Sequence, residues 1–375
     1  MNIPFVDLKA QYQALAGELT RAMAAVIAET AFIAGPAAKA FEDAFAAACG
    51  AQHCVGLGNG TDALIVALRA VGVGNGDEVA VPANSFVATS EAVAAVGANV
   101  VFIDVDPGRR TIDPADLAAK ISPRTKAGLP VHLYGQPADM QAIGAVALRH
   151  GLKIVQDCAQ AHAAAYDGIP LSRFGDISCY SFYPGKNLGA YGDAGALVTD
   201  DPAIARFSRM YANHGRIAKY DHEFEGINSR LDGLQAAVLS VKLPHLEAWT
   251  ERRRALARRY DDALADIPQV ATPRVYQDSR HVYHLYVIEA EDRQALQASL
   301  AQAGVATGIH YPIALPFLSA YRRLGHVPQD FPVAHALQSR ILSLPIYAEM
   351  TDDAAAVVAT AIRAHYSAAN ERSRV

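Results

Sequence analysis

Two residues set the reading of this sequence: Asp157 and Lys186, within KIVQDCAQAHAAAYDGIPLSRFGDISCYSFYPGKNLGAYGDAG (153–195). KIVQD is a short apolar run closing on a carboxylate. ISCYSF is a second such run, and it leads into the loop that carries the lysine. Both have the length and the β-branched or aromatic content of buried strands. Ligands of open α/β sheets gather at strand C-termini, so an acid and an amine there are placed for chemistry. A lysine in an apolar, aromatic loop sheds its proton readily and can attack a carbonyl to form a Schiff base. A nearby carboxylate can hold the ring nitrogen of a pyridine cofactor protonated. On these two residues alone, a plainer alternative stands beside this one: a helix-capping acid and a lysine on a solvated turn.

The elements that must position them follow a strand–helix rhythm. HCVGL (53–57) reads as a strand, and GNGTDALIVALRAVGVG after it as a glycine-rich turn feeding a helix from near Thr61. Free N–H groups and the positive helix end make that turn an anion site, most often for phosphate. EVAVP (78–82), NVVFID (99–104), AGLPVHL (127–133), KIVQD, ISCYSF and GALVTD (195–200) are the further strands. Helices are expected at 11–29, 37–49, from Phe86, at 113–121, from Asp139 and after Pro202. Such alternation predicts an α/β protein with a largely parallel sheet covered by helices.

Residues 212–230 read as a polar loop. Helical periodicity then runs from Leu231 to about Ile267, with a break at Pro244. The arginines 252–254 and 258–259 alternate with acids and read as a solvated helix face. The strand HVYHLYVIEA, a helix at 293–303, GIHYP and a helix after Thr351 make a smaller α+β unit. The expected domains are therefore 1–240, large and ligand-binding, and 241–375, small.

Composition excludes several classes. The chain has 375 residues, 51% of them apolar and 19% charged, with a net charge of −5. That is an ordinary soluble protein without general attraction to nucleic acid or anionic membrane. MNIPFVDLKAQ carries Asp7 and Lys9 and lacks a long apolar core, so no signal peptide is expected. Without an apolar run of membrane length, no span is expected either. The cysteines at 49, 54, 158 and 179 show no CxxC spacing and read as reduced thiols in the cytoplasm. No metal site is expected. Gly56, Gly58 and Gly60 suggest a dinucleotide turn, but the third glycine would fall on Thr61, and Asp77 and Glu78 precede a strand instead of closing one.

GNGTDAL (58–64), PANSF (82–86), VHLYGQPADM (131–140), DCAQAHAA (157–164), SFYPGKNLGAYGD (181–193), NSRLD (228–232) and GIHYP (308–312) together carry a family likeness over almost the whole chain. The sequence resembles the DegT-type nucleotide-sugar aminotransferases, which have the pyridoxal-phosphate transferase fold type I. The resemblance implies pyridoxal 5′-phosphate as cofactor, L-glutamate as amino donor, a keto nucleotide sugar as acceptor and a homodimer with shared active sites. It implies that Lys186 forms the Schiff base, Asp157 pairs with the pyridine nitrogen and Gln160 lies by the ring hydroxyl. Phe86 would stack on the ring, while Gly60, Thr61 and Ser181 would cradle the phosphate. Asn228 would reach the partner subunit's phosphate. Tyr183, His310 and Tyr311 are candidates for sugar hydroxyls; His214, Arg216, Lys219 and Arg230 are candidates for the diphosphate.

Gln156 stands where the family often has Glu, Cys158 where it often has Ala, and Ala194 where it often has Gly. Dehydrating relatives carry His at the position of Lys186, so the lysine favours amine transfer. HVYHLYVI, GIHYP and AQAHAA look most like the members acting on dTDP-3-keto-6-deoxyhexoses. The expected product is a dTDP-3-amino-3,6-dideoxyhexose for surface polysaccharide (lipopolysaccharide O-antigen) or natural-product glycosylation. Alternatives are amination at C4, action on a UDP-2-acetamido-3-keto sugar, a nicotinamide-dependent nucleotide-sugar oxidoreductase, and a catalytically silent cofactor-binding regulator.

Overall fold

The computed structural model describes residues 2–372. Its centre is a seven-stranded sheet: β1 (His53–Leu57), β2 (Glu78–Pro82), β3 (Asn99–Ile103), β4 (Thr125–Gly128), β5 (Lys153–Asp157), β6 (Ile177–Ser181) and β7 (Gly195–Thr199). The spatial order is β1-β7-β6-β5-β4-β2-β3. From β6 to β3 every pairing is parallel, and β7 runs antiparallel to both of its neighbours. Val79, Ala80 and Val81 are fully buried, as unbroken apolar strands with helices on both faces must be. The expected α/β class holds.

Helix boundaries follow local chemistry. In α1 (Pro36–Cys49) a proline occupies the first turn, and Gly50 ends the helix at φ +70°. In α2 (Gly60–Ala70) the Asn59 side chain caps by accepting the Asp62 N–H at 2.7 Å, with Asp62 in the first turn and Arg69 in the last. Pro244 breaks the later helix as expected. α3 (Gly233–Lys242) passes through a 3₁₀ turn, Leu243–His245, into α4 (Leu246–Leu264).

Three expectations change, the first being HVYHLYVIEA, which is a strand only over Tyr286–Ala290. AGLPVHL is extended only as far as Gly128. Beyond Pro130 the chain crosses to β5 through a single Val131–Asp157 bridge and turns at Leu133–Gly135. The loop 212–230 contains a short exposed hairpin, Arg216–Ala218 with Asp221–His222.

The C-terminal part packs a small antiparallel sheet, with Tyr286–Ala290 between Val270–Ala271 and Ile341–Leu344. Its core takes Leu256, Tyr260 and Leu264 from α4, and also Ile3, whose backbone bonds to Gly304 and Ala306. We propose the domain boundary near residue 240 on this packing, with the first residues belonging to the small unit. Arg110 ties the two parts, donating to the Val287 carbonyl at 2.7 Å and to Glu289 at 3.0 Å. Among the described residues no helix is long and apolar enough to cross a membrane.

Candidate active site

Asp157 closes β5, its N–H held by the Pro130 carbonyl at 2.9 Å. Its carboxylate is 6% exposed. One oxygen accepts the Ala159 N–H at 3.0 Å, and the other accepts the Thr89 hydroxyl at 3.2 Å. Thr89 lies 2.7 Å from the Ser85 hydroxyl, and both are buried. A hydroxyl has one proton; Thr89 gives its own to Asp157, so Ser85 must be the donor in the second bond. Burial pushes the Asp157 carboxyl above its ordinary value, against the lowering pull of the Ala159 N–H, Lys186 and Thr89.

Lys186 rides a loop closed at both ends. Ser181 pairs with Gly195, the Phe182 N–H bonds the Ala194 carbonyl at 2.8 Å, and the Ala190 N–H returns to the Phe182 carbonyl at 2.7 Å. Within it the Lys186 N–H bonds the Tyr183 carbonyl at 2.8 Å across Pro184–Gly185, a turn these residues favour. The Lys242 ammonium pins the loop from below through the Gly189 carbonyl at 2.7 Å. Burial lowers the Lys186 amine from its ordinary value, and Asp157 opposes it. Asn187 accepts from the His284 ring at 3.2 Å and donates to the Val282 carbonyl at 3.3 Å, which fixes the residue beside the lysine.

The start of α2 faces the same space. A Cβ on Gly60 would lie 2.6 Å from the Ser181 Cβ and 3.1 Å from its Cα, so only glycine lets the helix end approach β6 so closely. Gly60, Thr61 and Ser181 thus present first-turn N–H groups and a hydroxyl around one point, the chemistry of a phosphate cradle. Gln160 is fixed by accepting the Tyr134 N–H at 2.6 Å and donating to the Tyr311 hydroxyl at 3.3 Å. The Phe86 ring, 52% exposed, lies 5.7 Å from that of Tyr311. Asp157, Lys186, Gly60, Thr61, Ser181, Gln160, Phe86, Tyr311, Tyr183 and His310 line one cavity of about 640 Å³. Buried acid, amine of lowered basicity, anion cradle and exposed aromatic face together fit a phosphorylated pyridine aldehyde.

Residues 13–363 match the description of the DegT/DnrJ/EryC1/StrS aminotransferase family. The chain belongs to that family. It is 46% identical to the erythromycin biosynthesis sensory transduction protein EryC1 of Saccharopolyspora erythraea, over 97% of this chain and all of that one. It is 44% identical to the dTDP-3-amino-3,4,6-trideoxy-alpha-D-glucose transaminase of Streptomyces venezuelae, over 96% of each. The crystal structure of S. venezuelae DesV in complex with a ketimine intermediate superposes with a TM-score of 0.95 at 44% identity. That match covers 96% of this chain and 98% of the other.

Within this family fold the chain does not gather every residue the sequence suggested. His214, Arg216 and Lys219 are exposed on or beside the 216–222 hairpin, and Arg230 donates to the Asn213 side chain at 3.0 Å. With Asn228, also exposed, they stand apart from the lining of this cavity. Ser229 ties that segment to the phosphate turn: its hydroxyl accepts the Gly58 N–H at 3.0 Å and donates to Asp62 at 2.6 Å.

Sequence reasoning missed Thr89 and Ser85, which hold the acid, and His284, which steadies the lysine loop. It also misread Arg253, which is 5% exposed and lines the cavity instead of lying on a solvated face. The signal was present, because Leu246, Thr250, Arg253, Ala257, Tyr260 and Leu264 fall at helical spacing on one buried stripe.

Proposed function

We propose that this aminotransferase uses pyridoxal 5′-phosphate to move an amino group from L-glutamate to a keto nucleotide sugar, at C3 of a dTDP-linked 6-deoxyhexose. The observation that carries the reading is the convergence of Asp157, Lys186 and the Gly60–Thr61 helix end on one cavity. The C3 assignment is supported by the S. venezuelae relative, which is named for a dTDP-3-amino sugar.

The bound cofactor would supply an aldehyde and a cationic ring able to accept an electron pair from a substrate carbon. Lys186 would hold that aldehyde through its Nζ, and the same amine would accept the proton leaving the substrate carbon and return it. Its lowered basicity keeps a larger neutral fraction ready to accept one. Asp157 keeps the ring nitrogen protonated, and Thr89 with the Ala159 N–H keeps the carboxylate aimed. Phe86 and Gln160 orient the ring. Tyr183, His310 and Tyr311 bond sugar hydroxyls.

The exposed arm bearing Asn228, His214, Arg216 and Lys219 serves the neighbouring subunit of a homodimer, as does Arg230. Its exposure and its distance from its own cavity support that role. The four cysteines are free, which suits a cytoplasmic enzyme. The test is incubation of loaded enzyme with glutamate and, separately, dTDP-3-keto, dTDP-4-keto and UDP-2-acetamido-3-keto sugars, with NMR location of the new amine. Amination only at C4, or only of the UDP sugar, rejects the acceptor. No turnover with any member of the panel rejects the transferase reading.

A further inference from the structure

The cavity wall holds a cation that the roles above leave unused. Arg253 projects from α4 among His284, His310 and Ile346. One of its N–H groups donates to the Ile346 carbonyl at 2.6 Å, while its Nε finds no partner although it is fully buried. Among the described residues it forms no ion pair; Glu349 acts on it only from beyond ion-pair distance. A buried guanidinium without a counter-ion is costly, so the fold gains by keeping one only if an anion arrives. Its planar fork matches a carboxylate in particular.

We infer that Arg253 is the binding residue for a carboxylate of the amino donor. This rests on the proposed transfer of an amine from glutamate. Lys186 is a second cation of this lining, half-buried, and it must hold the cofactor and move protons, so it cannot remain paired with a substrate anion. A donor amino acid carries a carboxylate one bond from its reacting carbon, and that carbon must come to the lysine. The other substrate brings an uncharged hexose ring into the same space and leaves its diphosphate on the far side of the ring. The guanidinium then meets hydroxyls in that half of the cycle. One residue thereby serves a charged and an uncharged substrate in turn, and charge pairing favours the acid as donor.

Arg253→Gln and Arg253→Lys test this. In the loaded enzyme, Gln should lower kcat/KM for glutamate about ten- to a hundredfold, chiefly through KM, the effect of one lost charge-assisted pair. The KM for the keto sugar should stay within about threefold. Lys should recover part of the loss. Calorimetry with glutarate, which has no amine to react, gives an independent reading: parent protein with or without cofactor should bind it, and the Gln variant should not. If Gln fails to fold, judged by thermal unfolding, the Lys variant and the glutarate titration carry the test.

Unchanged glutamate KM and unchanged glutarate affinity in a folded variant would overturn the inference. So would a loss confined to the sugar half-reaction, especially with a uronate whose own carboxylate could use Arg253. If parent enzyme takes no amine from glutamate yet binds glutarate through Arg253, the donor assignment falls and the carboxylate site stands. If it does neither, both fall.

Discussion

Replacing Gly60 with alanine makes two opposed forces compete. At the start of a helix, alanine is favoured over glycine by about 0.5–1 kcal/mol because the unfolded chain loses less freedom. Against this, the new methyl would stand 2.6 Å from the Ser181 Cβ, 3.1 Å from its Cα and 3.2 Å from its hydroxyl. Overpacking of that kind costs about 1–3 kcal/mol, so Gly60→Ala should lose up to about 2 kcal/mol of stability, about 2 °C in Tm per kcal/mol. The larger effect is on the cradle. Relief of the clash moves α2 or β6 away from the phosphate, and losing one charge-assisted bond of about 1.5–3 kcal/mol weakens cofactor affinity about ten- to a hundredfold. Absorbance titration of the unloaded protein with pyridoxal 5′-phosphate measures this directly.

Ser181→Gly removes the nearest atoms, so the double variant completes a cycle. In that background Gly60→Ala should become neutral or stabilising. A Gly60→Ala protein with raised Tm and affinity within about threefold of the parent would refute the close approach, and with it the cradle.

Asp157→Asn should slow turnover about a hundredfold to a few thousandfold, since breaking a buried charge pair costs about 3–5 kcal/mol; a rate within about threefold of the parent rejects its role toward the ring nitrogen. Lys186→Ala and Asn228→Glu should each be inactive alone, yet recover activity when mixed under subunit exchange, because one of the two sites then holds both native groups. Proven heterodimers without recovery would place Asn228 in its own subunit's site or away from both. Acid should weaken the fold through His132, which burial lowers from 6.5 to about 4. Its ring accepts the Ala138 N–H at 3.0 Å through Nδ1 and pairs with Gln156 at 3.0 Å through Nε2, an arrangement that needs the neutral form. Between those values the unfolded chain binds the extra proton, so stability falls with pH from about 6.5 to about 4, by about 3 kcal/mol in all. Urea midpoints of parent and His132→Gln across that range should diverge in slope; parallel slopes reject the assignment.

Much of this site was legible because its parts obey local rules. β1, β2 and β5 lie where apolar runs of strand length begin and end, and Asn59, Gly60 and Asp62 form a helix start by sequence alone. β4 was overextended because Leu129 and Val131 look like strand, while Pro130, lacking an N–H, sits where the chain leaves the ladder. Arg253 escaped because charge was weighed above its place in the apolar stripe. Thr89 escaped because a threonine on a helix carries no mark of the acid it faces across 68 residues of chain. The role proposed for Asn228 and the 216–222 hairpin came only from likeness, since periodicity says nothing about a neighbouring chain.

The reversed direction of β7 bears on the order in which the catalytic parts come together. β6 and β7 form a hairpin, so Ser181, Lys186 and Gly195 are assembled by neighbours along the chain, and such closures are fast. Asp157 joins one crossover earlier in sequence, through the parallel β5–β6 pair. The α2 helix meets this group only through contacts such as the Cys179 thiol on the Ala63 carbonyl, 116 residues apart. Ser229 must then come from 171 residues beyond Gly58. Because closing longer loops costs more entropy, the anion-binding turn is expected to join after the hairpin that carries Lys186. A nascent chain would therefore show a reactive lysine before it could retain cofactor. Pulse-labelling of Lys186 during refolding should precede the rise of cofactor absorbance, and simultaneous appearance would show that the whole centre closes in one step.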